Sequence, residues 1–249
     1  MRKPQLEYAW QTDKGRVRPV NEDAVTVFPD MGLVIVADGI GGASAGEVAS
    51  RLATDVIAAR AGRLPSLPDN REQARKLASE AVEEANRVIW KESHTSPRYS
   101  GMGTTVVVGF LRPSWMAFAH VGDSRLYLLR DHALSQLTRD HSLIQEVVDQ
   151  GFFSSLEEAQ RGGINDNILT RGLGSSDPVA ADAGDVDVRP GDLFLFCTDG
   201  LTGMLSEDAL RQCLLSAGED LQPVCQALVR LAYEGGGRDN ITVALVRAV

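Results

Sequence analysis

The stretch Thr104-Thr-Val-Val-Val-Gly-Phe-Leu-Arg-Pro-Ser-Trp-Met-Ala-Phe-Ala-His-Val-Gly-Asp-Ser-Arg-Leu-Tyr-Leu-Leu129 holds three short apolar runs rich in β-branched and aromatic residues, 104–110, 115–121 and 126–129. Runs of this length and composition read as strands. Only Arg112-Pro113-Ser114 and Gly122-Asp123-Ser124 separate them. A parallel crossover needs a dozen or more residues, so turn-length spacing predicts antiparallel hairpins rather than a doubly wound sheet.

Similar runs lie on either side, at 33–37, 193–197 and 241–246. Ala74, Leu77, Ala78, Ala81, Val82, Ala85, Val88 and Ile89 recur at steps of three and four and mark one apolar helix face. Pro68-Asp69 with Glu72 resembles an N-capping box for that helix. Further helices are expected over 44–61, 207–215 and 222–233. Helices in groups of one or two between runs of strands make an α+β chain. With 249 residues, 43% of them hydrophobic, the chain can bury one large core. No repeat or compositional break marks a linker, so one domain is expected over 1–249. The segment 151–167, rich in glycine and charge without a strand pattern, reads as a surface excursion.

The balance of 25 basic against 34 acidic residues leaves a net charge of -9. That sign opposes binding to nucleic acid or to an anionic membrane. Cys197, Cys213 and Cys225 each sit inside an apolar run, which suits reduced core thiols rather than a disulfide framework. The first fifteen residues mix Arg2, Lys3, Glu7, Asp13 and Lys14 with few apolar residues, and no stretch reaches membrane-spanning length. A cytoplasmic protein without membrane insertion is expected.

The acidic residues carry the functional signal. Asp38 follows the run 33–37, Asp123 follows 115–121, Asp199 follows 193–197, and Asp239 stands just before 241–246. In an antiparallel sheet the end of one strand lies beside the start of its neighbour, so these four could gather on one edge. Gathered carboxylates repel and raise one another's pKa unless cations hold them ionised. Any one Asp-Gly after a strand is equally at home as a plain turn, and on the residues alone both readings stand. The candidate ligands are hard oxygens, while His94, His120, His132 and His141 are scattered. That set suits Mg²⁺ or Mn²⁺ and not Zn²⁺.

Two other chemistries lack residues that they require. Asp38-Gly39-Ile40-Gly41-Gly42 invites a dinucleotide-binding reading, but Ser44 holds the third glycine position and Asp38 would oppose a pyrophosphate. A cysteine-nucleophile phosphatase needs arginine six positions after the cysteine; here those positions hold Gly203, Glu219 and Leu231.

The ordered set Arg18-Pro-Val-Asn21-Glu22-Asp23, Ala37-Asp38-Gly39-Ile-Gly41-Gly42, Gly103-Thr104-Thr105, Val121-Gly122-Asp123-Ser124-Arg125, Leu137-Thr-Arg-Asp140-His141-Ser142, Thr198-Asp199-Gly200-Leu201 and Arg238-Asp239-Asn240-Ile241-Thr242 resembles the metal-dependent protein phosphatase family, type 2C, in its bacterial form. The resemblance implies a four-layer α-β-β-α sandwich of two stacked antiparallel sheets with a binuclear Mn²⁺ or Mg²⁺ site at one end. It implies that Asp38 bridges both ions, that the Gly39 carbonyl binds the first and that Asp199 and Asp239 bind the second. Glu22 and Asp23 would act through bound waters, Asp123 with Asp199 would hold a third, weaker ion, and Arg18 would hold the substrate phosphate.

The activity implied is hydrolysis of phosphoserine and phosphothreonine in proteins by a metal-bridging hydroxide, in a monomer that opposes a Ser/Thr kinase. Two ions sharing a carboxylate can generate such a nucleophile and neutralise phosphoryl charge. Ile40 stands where relatives outside bacteria often carry a histidine proposed as general acid, and isoleucine has no proton to give; a metal-bound water is the expected substitute. The segment 142–168 corresponds to the family's flap, with Phe152 and Phe153 as docking or hinge residues. Two rival classes remain: a phosphatase-like binding module, and a hydrolase of small phosphate esters built on the same site.

Overall fold

Side-chain alternation along each strand decides the layers. The computed structural model describes residues 5–41, 45–64 and 68–249. Its elements are β1 (Leu6–Asp13), β2 (Asp23–Phe28), β3 (Leu33–Ile40), α1 (Ala45–Gly62), α2 (Arg71–Thr95), β4 (Gly103–Thr104), β5 (Val106–Arg112), β6 (Trp115–Val121), β7 (Arg125–Arg130), β8 (Ala133–Gln136), α3 (Leu143–Asp149), α4 (Leu156–Arg161), β9 (Asp182–Asp187), β10 (Leu193–Cys197), α5 (Asp199–Thr202), α6 (Glu207–Leu215), α7 (Gln222–Glu234) and β11 (Ile241–Ala248).

One antiparallel sheet has the order β1-β11-β10-β7-β8 and the other β2-β3-β5-β6-β9, with the short β4 paired to β3. Leu33, Ile35 and Ala37 face α1 and α2, whereas Val34 and Val36 point between the sheets. On the other sheet Leu195, Cys197, Val243 and Leu245 pack under α6 and α7, while Phe194, Phe196, Ala244 and Val246 meet the first sheet. Central strands buried on both faces lose the polar alternation of a half-exposed sheet, which is why they read as continuous apolar runs. The result is the expected α-β-β-α sandwich.

Several local expectations need correction. Gly122-Asp123-Ser124 does not close a hairpin, because β6 and β7 belong to different sheets; the turn crosses from one layer to the other. Strand β3 runs on through Asp38 and Gly39, since Gly39 pairs with Thr104 of β4. The cap of α2 is Asn70, whose side chain accepts from the Glu72 and Gln73 amides at 2.8 and 3.3 Å, and not Asp69. The excursion over 151–167 contains α4, capped by Ser155, and the 142–168 segment begins with α3, capped by Ser142. Ser44 and Gly42, placed at a helix start and in a glycine motif, lie outside the described residues.

Candidate metal centre

The layers bring the acidic motifs to one end of the sandwich. Asp38 comes from β3 and Asp123 from the turn after β6, both in the six-stranded sheet; Asp199 follows β10 and Asp239 precedes β11, adjacent antiparallel strands of the other. The cluster therefore spans two sheets rather than one edge. Asp38, Asp123, Asp199, Asp239, Glu22 and Arg18 all line one groove of roughly 960 Å³. Asp23 does not line it. It pairs with Asp38 across β2 and β3 and lies buried, its Oδ2 accepting from the hydroxyls of Thr198 at 2.9 Å and Thr242 at 2.6 Å.

The electrostatics are those of a crowded acid cluster. Burial, with the charge of the neighbouring Asp199 adding to it, pushes Asp23 and Asp123 up to about 7. Asp38 stands well above the usual carboxylate range through burial and the charges of Asp23, Asp199 and Asp123. Burial also raises Asp199 and Glu22, with Asp239 adding to each. Among the described residues Glu22 Oε1, Asp23 Oδ1 and Asp199 Oδ1 are buried without a hydrogen-bond partner. Orphan carboxylate oxygens carry a desolvation cost that cations relieve. Oxygen-only donors of this kind fit Mg²⁺ or Mn²⁺. Among the described residues no three acidic, imidazole or thiol groups already close into a coordination shell, and Asp239 is turned toward Arg18, whose Nη2 lies 2.6 Å from its Oδ2. The residues fit the ions in type and location, and the ions would complete the arrangement.

The Protein phosphatase 2C family model matches residues 14–232. The chain belongs to that family. The phosphatase 2C relatives include the serine/threonine phosphatase stp of Listeria monocytogenes, 37% identical over 240 residues that cover 95% of this chain and 94% of that protein. Protein phosphatase PhpP of Streptococcus pneumoniae is 36% identical over 97% of each chain. Among solved structures, the catalytic domain of the serine/threonine protein phosphatase PstP, in complex with two manganese ions, superposes with a TM-score of 0.85 at 33% identity over 98% of both chains. The serine/threonine phosphatase of S. agalactiae gives 0.89 at 34% identity over 98% of this chain and 100% of that one.

The phosphatase 2C fold here depends on residues to which the sequence reading assigned no task. Asn240 donates to the carbonyls of Lys14 and Val20, each at 2.9 Å, and accepts from the Glu22 amide at 2.8 Å, so one side chain holds the loop carrying Arg18 and Glu22 against β11. A Cβ on Gly200 would stand 1.8 Å from the Asn240 carbonyl oxygen, so only glycine lets the Asp199 turn approach Asp239 so closely. The Thr105 hydroxyl donates to or accepts from Ser124 at 2.6 Å and accepts from the Asp38 amide at 3.1 Å, linking Asp38 to the Asp123 turn. The Leu137 to Ser142 motif staples that turn. Asp140 takes three contacts at 2.7–3.0 Å from Arg125, and His141 Nδ1 accepts from the Gly122 amide at 3.1 Å. His141 Nε2 lies 3.2 Å from Asp182 Oδ2 without hydrogen-bond alignment, and burial, the largest cause, lowers its pKa. Its buried neighbour His120, ring centroid 4.6 Å away, is lowered to about 4 by burial and by His141. Both are scaffold imidazoles held neutral. The spacing of His141 to Gly122 in sequence gives no signal, because that contact is made only by the fold.

Proposed function

We propose that this protein is a metal-dependent phosphatase that removes phosphate from phosphoserine and phosphothreonine in proteins. The observation that carries the reading is the group of carboxylates, Glu22, Asp38, Asp123, Asp199 and Asp239, that lines one groove beside Arg18 at the end of the sandwich, with buried oxygens of Glu22 and Asp199 left without a hydrogen-bond partner among the described residues, on a chain of the phosphatase 2C family. In this reading Asp38, the Gly39 carbonyl, Asp199 and Asp239 would hold two Mn²⁺ or Mg²⁺ ions, Glu22 and Asp23 would act through waters, and Asp123 with Asp199 would hold a third ion. The two manganese ions of PstP support this choice of metal. When bound, the ions supply Lewis-acid charge to the phosphoryl group and a nucleophile at neutral pH.

The chain's own residues do the rest. Arg18 presents a planar fork suited to two phosphoryl oxygens at the wall that also carries Asp239. Asp23, tied to Thr198 and Thr242, keeps β2 and the strands of the second sheet in register behind Asp38. Ile40 has no proton to give, so in this reading leaving-group protonation falls to water. This reading takes the protein as a monomer, with the 142–168 segment as a flap on a single 1–249 domain. Three buried free cysteines support a reducing, cytoplasmic setting; no helix among the described residues is long and apolar enough to cross a membrane. A Ser/Thr kinase whose products are its substrates belongs to the same reading.

The test is a comparison of p-nitrophenyl phosphate with a phosphothreonine peptide in Mn²⁺. Cleavage of both, with the peptide preferred in kcat/KM, is expected. Cleavage of the small ester alone would point to a small-ester hydrolase, and cleavage of neither to a binding module.

A further inference from the structure

The groove is much larger than one phosphoryl group requires; its roughly 960 Å³ is at the upper end of pockets that hold whole drug-sized ligands. Beyond the carboxylates it continues as an arm walled by the end of α2, by 100–103 and by 167–175. The arm is built on backbone. Thr104 pairs with Gly39 on one side and with Leu173 on the other, so the 171–173 segment lies two strand spacings, about 10 Å, from the backbone of Asp38 and Gly39.

Among the described residues that line this arm, Arg171 is the one Lys, Arg, Asp or Glu. Its Nη1 donates to Asp182 Oδ1 at 2.9 Å and to the Ala180 carbonyl at 3.3 Å. The side chain remains 37% exposed, and among the described residues Nε and Nη2 take no hydrogen-bond partner. Asp182 is in turn held beside His141, which is bonded to Gly122 next to Asp123. The guanidinium is thus held by Asp182 in the wall of the groove that the carboxylates also line.

We propose that Arg171 is a specificity-determining residue that takes the carboxylate of an acidic side chain two to four positions from the phosphorylated residue of the substrate, with Asp182 as its positioning residue. The proposal rests on the phosphatase reading. A polypeptide advances about 3.3 Å per residue when extended, so the offset of about 10 Å sets the spacing. Arginine matches a carboxylate through paired donors, and a fork already oriented loses less freedom on binding. Because Asp182 offsets part of the charge and the site keeps some water, the effect is that of a partly exposed ion pair, about fivefold in kcat/KM.

The experiment measures kcat/KM in Mn²⁺ for a phosphothreonine peptide with glutamates two to four residues from the phosphothreonine, and for its alanine counterpart. The readout is their ratio within each protein, so general changes in turnover divide out. Wild type should favour the acidic peptide about fivefold, chiefly through KM. Arg171→Ala should bring the ratio to about one, Arg171→Lys should keep part of it, and Asp182→Asn should reduce it. A wild-type ratio near one, or one unchanged in Arg171→Ala and Arg171→Lys, overturns the inference while leaving the phosphatase reading standing. Failure of the wild type to release phosphate from either peptide overturns both.

Discussion

Arg18 Nη2 lies 2.6 Å from Asp239 Oδ2. One of these residues is suited to a phosphate and the other to a cation, so each occupies the other's ligand position while they pair. The pair is half exposed on the arginine side, and such pairs add little to stability. Arg18→Ala should therefore raise KM for a phosphopeptide about tenfold or more while Mn²⁺ binding, followed by calorimetry, stays the same or tightens. Loss of Mn²⁺ binding in that variant would mean that Arg18 builds the centre instead of reading phosphate.

Asp199 and Asp239 reach the groove from adjacent strands and share no substitute ligand. Asp199→Asn or Asp239→Asn should lose one ion by metal titration and nearly all turnover, with the fold retained by circular dichroism. Normal turnover in Asp239→Asn would sink the assignment of that residue as a ligand.

The raised carboxylates fix the sign of a pH dependence. Asp23 and Asp123 titrate near 7 in the fold against an ordinary 3.8, and Asp38 and Asp199 are raised in the same direction. Between about pH 4 and 7 the folded protein holds protons that the unfolded chain has released, so stability from this cluster is present at low pH and lost as pH rises through that window. In EDTA the melting temperature should be lower at pH 8 than at pH 5; Mn²⁺ should reverse the order by holding the ionised forms, and Asp38→Asn should flatten the EDTA difference. A higher melting temperature at pH 8 in EDTA would contradict the cluster's electrostatics.

Asp140 is buried and compensates the largely buried Arg125 through a bidentate contact. Asp140→Ala leaves that guanidinium unpaired and should cost about 3 kcal/mol or more by urea denaturation. It should also loosen the Asp123 turn. A cost below about 1 kcal/mol would show that water replaces the pair.

The 142–168 segment presents Phe152, 71% exposed, beyond the end of α3. Phe152→Ala should lower kcat/KM on phosphoprotein more than on p-nitrophenyl phosphate. Equal effects on the two would argue against docking there.

What was legible in the sequence follows from burial. The strands 115–121 and 193–197 and the helix 207–215 match the structure at both ends, because elements packed on the core carry uninterrupted apolar runs or a clear stripe. Strands β1, β2, β8 and β9 were not read. They lie at the sheet edges, where half the residues face water, and β9, Asp-Ala-Gly-Asp-Val-Asp, has poor strand propensity that pairing with β6 overrides. The acidic ligand candidates were visible because aspartate beside an apolar run is conspicuous. Asn240, Thr105, Asp140 and His141 were visible only as motif letters, since their hydrogen bonds join segments from 15 to more than 200 residues apart.

The central claim is that the carboxylate cluster works as a metal centre for dephosphorylation. Phosphate release from a phosphothreonine peptide should be measured with Mn²⁺, with Mg²⁺, with EDTA, and with Asp38→Ala in Mn²⁺. The account predicts release that requires the metal and is lost in the variant. Release that persists in EDTA, or an Asp38→Ala protein as active as wild type, would contradict it.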